Sequence, residues 1–427
     1  MTMSTDRAAS VVAAIAAKLA DPAAVAALAS RADNGPVVRG RRQPPWSSLS
    51  LSCGNPAIAL LFAELAVAEP KYRQPTHSYL SAGLIDPQWA TDAGLFGGMG
   101  SLAFAAHAAS LAYGGYSRLL GQFDDQIAAG VGDWARRAQS RVEAGGPIQT
   151  WTYDVISGFS GIGRYLLSRY EETGDPVTFA ALTELIEALV AVAMTDVRVG
   201  GHLVPAWWVS HDRHRQLDGG AEHLNFGLAH GIAGPLALLS ISWLHDVRVP
   251  RQDEAIDRIV ALLDRWQTVD TAGPYWPHTL SLADFRSGSA VPRSRDVWCY
   301  GAAGIARARS LAAAAAESPR WREWADRALT AALRTSVGRV TDYGLCHGWA
   351  GLLRVATVMG FPETECRPLV DLICDAYEEK LTFGLPPVAG VDRPGFLEGA
   401  AGVGLALQGF VSGGAAPSGW DAALLLT

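Results

Sequence analysis

A chain of 427 residues, 49% hydrophobic and 18% charged, can bury a large core without help from disulfides, and is long for one domain unless built from closed repeats. Its formal charge of -7, with no sustained Lys/Arg face on any predicted helix, excludes a nucleic-acid footprint. Five cysteines, Cys53, Cys299, Cys346, Cys366 and Cys374, are too few and of the wrong parity for a disulfide framework, which points to a reducing cytoplasm.

The N-terminus carries Asp6 and Arg7 ahead of an alanine-rich segment broken by Lys18 and Asp21. It lacks the apolar core and cleavage pattern of a signal peptide. No run approaches the roughly 18 apolar residues of a membrane span, so no transmembrane segment is expected. Residues 5–31 read as one or two helices, followed by a polar loop over 34–45. The Arg39-Gly40-Arg41-Arg42 patch in that loop reads as solvated. Residues 1–45 are therefore expected to pack as a helix and loop on a main domain of residues 46–427.

From there a glycine-bearing turn leading into an apolar helix recurs seven times. The copies are Gly54-Asn55-Pro56-Ala57, Gly97-Gly98-Met99-Gly100, Gly158-Phe159-Ser160-Gly161, Gly231-Ile232-Ala233-Gly234, Gly301-Ala302-Ala303-Gly304, Gly348-Trp349-Ala350-Gly351 and Gly399-Ala400-Ala401-Gly402. The segments that follow, such as 235–243, 305–315 and 352–358, are apolar all round, as buried helices are. Charged amphipathic segments alternate with them, at 124–143, 175–197, 252–267, 319–337 and 363–381. Inner and outer helices at intervals of roughly 45 to 70 residues describe a repeat architecture. The expectation is an all-α fold: an α/α toroid of about seven inner and seven outer helices, with inner-helix N-termini at one mouth. The first two glycine turns and the last are expected to be helix punctuation only.

Long segments at 202–226, 271–297 and 383–396 precede inner helices and are rich in Trp, Tyr, Pro, His and Arg; loops of that length are usually functional. They are expected as irregular or short β insertions at the mouth. His211, His214 and His223 lie in the first of them, among charged residues that suit a solvated or peptide-contacting loop better than a second metal site. Trp207, Trp208 and Trp276 fit either a peptide groove or packing beneath the loops.

Aligning the repeats places His230 and His347 directly before the first glycine of the fourth and sixth copies. Cys299 and Cys346 stand two residues before it in the fifth and sixth. Two thiols and an imidazole from matching places suit zinc, and three protein ligands leave a fourth position open, as in catalytic rather than structural sites. Cys53 is one place out of register, and Cys366 and Cys374 lie on an outer helix; packing explains all three.

The combination Gly-Leu-Ala-His230-Gly-x-x-Gly, Ser-Arg295-Asp-Val-Trp-Cys299-Tyr-Gly-x-x-Gly and Cys346-His347-Gly-x-x-Gly resembles the LanC-type lanthionine cyclases, from Gly54 nearly to the C-terminus. The resemblance implies one Zn²⁺ on Cys299, Cys346 and His347, with substrate thiol or water as fourth ligand. It implies His230 and Asp154, in its Tyr-Asp-x-x-x-Gly context, as acid/base candidates, and Arg295 beside them. The activity implied is zinc-dependent addition of precursor cysteine thiolates to dehydroalanine or dehydrobutyrine, forming lanthionine or methyllanthionine rings. The implied partners are a dehydrated precursor peptide (leader plus core), a separate dehydratase and, peripherally, a membrane-bound biosynthetic complex. Residues 199–226 and 270–297 are the only counterparts here of the strand-rich, leader-contacting extension of some members. Three alternatives stay open: addition of glutathione or another thiol, a prenyltransferase-like zinc site, which would need a carboxylate ligand, and a non-catalytic peptide-binding scaffold.

Overall fold

The computed structural model describes residues 3–38, 41–86, 94–209 and 222–427. They form two compact units. One comprises residues 1–123 and 340–421, the other 124–339 and 422–427.

In the first unit four buried helices pack in the spatial order Trp349–Val358, Ala400–Val411, Asn55–Ala66 and Gly98–Tyr113. Every residue of Asn55–Ala66 is buried, as expected of a helix apolar on all sides. Arg73–Leu84 covers Asn55–Ala66, and Glu363–Ala376 covers Trp349–Val358. Among the described residues, no outer helix follows the inner helix Ala400–Val411. The N-terminal helix Met3–Lys18 packs against it instead.

The second unit repeats the scheme with Phe159–Thr173, Ala233–Leu244 and Ala302–Ala315 inside. Pro176–Ala193, Gln252–Trp266 and Pro319–Ser336 pack on them. The outer helices start where side-chain caps dictate: Asp175 accepts the N–H of Thr178 at 2.7 Å ahead of Pro176, and Ser318 that of Trp321 ahead of Pro319. Pro176–Ala193 corrects the expectation that no segment approaches a membrane span, because by length and composition it qualifies. More than half of it is buried, against Phe159–Thr173 and Gln252–Trp266, as a core helix would be.

Inner helices start without a capping side chain on the residue just before them, and the glycine turn explains how. A Cβ on Gly351 would stand 2.0 Å from the carbonyl oxygen of Leu345, and one on Gly402 1.8 Å from that of Phe396. These two helix starts are thus pressed onto the backbone six residues upstream, which only glycine allows. The last copy is therefore more than the punctuation expected of it.

The expected insertions carry short two-stranded ladders. Asp196–Val199 pairs with His202–Pro205, His223–Asn225 with Thr279–Ser281, and Thr268–Val269 with Pro274–Tyr275. Trp207, Trp208 and Trp276 are almost wholly buried, and the indole of Trp276 donates to the Leu263 carbonyl at 2.8 Å. They pack beneath the loops, and Trp207 also borders a cavity of about 310 Å³ with Val204, Arg258 and Phe285.

A fully buried ion pair ties the end of the first unit to an inner helix. The Arg354 guanidinium donates to Asp421 Oδ2 at 2.9 Å and to the Gly414 carbonyl at 3.0 Å. Asp421→Ala would leave a buried cation without its counter-charge, at a cost of about 3–5 kcal/mol. Chemical denaturation should show that loss, whereas alanine at the exposed Asp375 should change little.

Candidate metal centre and proton-transfer pair

Cys299 closes the loop ahead of Ala302–Ala315 in the second unit and is buried. That loop is stiffened from below. Asp296 Oδ1 accepts the N–H of Ala302 at 2.7 Å, while the nearly buried Arg293 bridges Asp296 and Asp270. The Arg293 hydrogen bonds pull the Asp270 carboxyl down to about 2. Cys346 and His347 stand ahead of Trp349–Val358 in the first unit, where the N–H of Cys346 donates to the Leu397 carbonyl at 2.7 Å. Both are half-buried.

Cys299, Cys346 and His347 make up a candidate set of metal ligands. Two thiols and an imidazole match zinc in softness, and the group contains no carboxylate.

His230 and Asp154 meet in the second unit. Asp154 Oδ2 lies 2.6 Å from His230 Nδ1. Its Oδ1 accepts the Ser157 N–H at 2.7 Å, which fixes the carboxylate. The Asp154 side chain is 3% exposed and that of His230 38%, so the buried acid holds a ring that reaches solvent. With Nδ1 held as the donor, Nε2 is the nitrogen able to exchange a proton.

Arg295 is exposed. Its carbonyl lies 2.7 Å from His278 Nε2, and its guanidinium has no ion-pair partner among the described residues. The His278 ring lies tilted against Tyr300 with ring centroids 5.3 Å apart, and Tyr300 lies 6.4 Å from the His230 ring. Asn225 Nδ2 donates to the Tyr300 hydroxyl at 3.2 Å. Sequence reasoning missed Tyr300, His278 and Asn225. Tyr300 had a signal, since it follows Cys299 inside the same motif.

Of the remaining residues singled out in the sequence, Cys366 and Cys374 are buried. Cys53 is half-buried and lines a cavity of about 300 Å³ with Pro44, Pro45, Arg393 and Glu398. His223 sits in a strand, while His211, His214 and Arg39 lie outside the described residues.

The family described as lanthionine synthetase C-like protein matches residues 45–425. The chain belongs to that family. Nisin cyclase, a solved structure, superposes with a TM-score of 0.72 at 22% identity, covering 89% of this chain and 92% of that one. That likeness shows the fold, an α/α toroid, as the repeats led us to expect. The nisin biosynthesis protein NisC of Lactococcus lactis subsp. lactis is 25% identical over 268 residues. The alignment spans 60% of this lanthionine synthetase C-like chain and 60% of NisC.

Proposed function

We propose that this chain is a zinc-dependent lanthionine cyclase, closing thioether rings in a dehydrated precursor peptide. The observation that carries the reading is the donor set of Cys299, Cys346 and His347, two thiols and an imidazole without a carboxylate, in a chain of the lanthionine synthetase C-like family. The catalytic domain is residues 46–427, with 1–45 packed on it. The precursor comes from a separate dehydratase, and the chain acts in the cytoplasm, in line with its free cysteines. It also associates peripherally with a membrane-bound biosynthetic complex.

Cys299, Cys346 and His347 hold the ion, and zinc, when bound, supplies a Lewis acid that lets a substrate thiol lose its proton near neutral pH, well below its usual value of about 8.5. The thiolate sulfur forms a bond to the β-carbon of dehydroalanine or dehydrobutyrine, and the alkene electron pair moves toward the carbonyl as an enolate. His230 relays the proton, taking it from the thiol and delivering it to the α-carbon. Asp154, buried and anchored by Ser157, keeps the imidazole in the tautomer that the relay needs. Arg295 supplies a cation for the enolate oxygen, and the Tyr300 ring lies 6.4 Å from that of His230.

Purified protein given a dehydrated precursor should reduce the thiols open to alkylation by one per ring, at unchanged peptide mass before labelling. Unchanged thiol counts with zinc bound would remove the reading. Consumption of added glutathione without ring closure would replace it by intermolecular thiol addition. The absence of Asp or Glu from the ligand group argues against a prenyltransferase-like centre.

A further inference from the structure

Asp342 is a buried acid five residues before His347, in the turn that leads into Trp349–Val358. Its side chain is 5% exposed. Oδ1 accepts the Gly344 N–H at 2.7 Å, and the Asp342 carbonyl accepts the N–H of Trp349 at 3.0 Å. The carboxylate is therefore built into the turn that presents His347. Oδ2 is buried and makes no well-aligned hydrogen bond among the described residues, yet it lies 3.2 Å from His347 Nε2. Leaving a buried carboxylate oxygen without a donor costs about 1–3 kcal/mol, so the turn favours whichever histidine tautomer puts a proton on Nε2. On the other side of the ring, Nδ1 is 3.9 Å from Glu398 Oε1, beyond hydrogen-bond range, and Glu398 is engaged by Arg393 at 3.0 Å.

We propose that Asp342 is a positioning residue that fixes His347 as the Nε2–H tautomer and so makes Nδ1 its metal-binding nitrogen. The inference rests on the zinc reading above only in its second half. It also separates the two histidines of matching register. Asp154 holds His230 through Nδ1, whereas Asp342 approaches His347 through Nε2, so the same residue type is turned to proton transfer in one repeat and to ligation in another. A carboxylate behind a ligating imidazole orients the ring and raises its basicity.

The test is nitrogen NMR of ¹⁵N-histidine-labelled, metal-free protein at mildly alkaline pH, with His347 assigned by its loss in His347→Asn. The account expects the Nε2–H tautomer for His347, and finding Nδ1–H overturns it. Asp342→Asn keeps an acceptor for the Gly344 N–H but turns an amide donor toward Nε2. Zinc affinity, read by competition with a chromophoric chelator, should then fall by about 10–100-fold, with the far-UV circular dichroism retained. Unchanged affinity in a folded Asp342→Asn protein refutes the role in ligation. Should the wild-type protein bind no zinc, the metal reading fails, while the tautomer measurement still decides what Asp342 does.

Discussion

Cys346→Ala is expected to yield a folded protein that has lost zinc and cyclisation together. Zinc sites with four protein ligands bind with about 10–16 kcal/mol, so one thiolate is worth on the order of 3 kcal/mol, roughly a hundred-fold in affinity. Ring closure should fall by about a thousand-fold or more, ~4 kcal/mol of barrier. The fold should survive, because Cys346 precedes the Trp349–Val358 helix and is held there by its own N–H to Leu397. The buried core of that unit lies in the inner helices. A cooperative denaturation curve alongside absent zinc and absent product is the predicted outcome. Unfolding of the variant would instead mean that the metal serves stability, as in a binding scaffold.

His230→Asn should give a different signature. Zinc content should be unchanged, since His230 is outside the ligand group, while the turnover rate falls by about 10²–10⁴-fold, the usual range for a lost general acid or base. The pH–rate profile should lose the limb due to the imidazole. Asp154→Asn keeps an acceptor for the Ser157 N–H but presents an amide donor to His230 Nδ1, which favours the unproductive tautomer, so its loss should fall between wild type and His230→Asn. Metal analysis with single-turnover kinetics on both variants checks this; zinc loss in either would move these residues from proton transfer to metal support.

What could be read in the sequence was whatever the repeat imposes. The helix alternation and the register of Cys299, Cys346 and His347 follow from period alone, because matching positions in matching hairpins face the same way. Asp154 and His230 stand in different places relative to their glycines, so periodicity does not pair them; the family resemblance singled out both, and the coordinates bring them together. Asp342 did carry a periodic signal. It precedes its glycine by the same interval as Asn225, Arg295 and Arg393 precede theirs, and all four are polar residues. His278 reaches Tyr300 from one of the long insertions, which lie outside the repeated pattern, so no alignment of repeats could place it. The packing of Met3–Lys18 on Ala400–Val411 joins the two ends of the chain, a non-local contact on which local pattern is silent. The tryptophans were ambiguous because an aromatic beneath a loop and one lining a groove have the same sequence context; only burial separates them.

The central claim is that Cys299, Cys346 and His347 hold zinc with a position left for the sulfur of a precursor cysteine. X-ray absorption at the zinc edge, with and without a cysteine-containing dehydrated peptide, tests it most directly. The account predicts two sulfur and two lighter ligands in the free protein and three sulfurs once peptide is bound. A sulfur count that stays at two with peptide bound, or a protein that takes up no zinc, would contradict it.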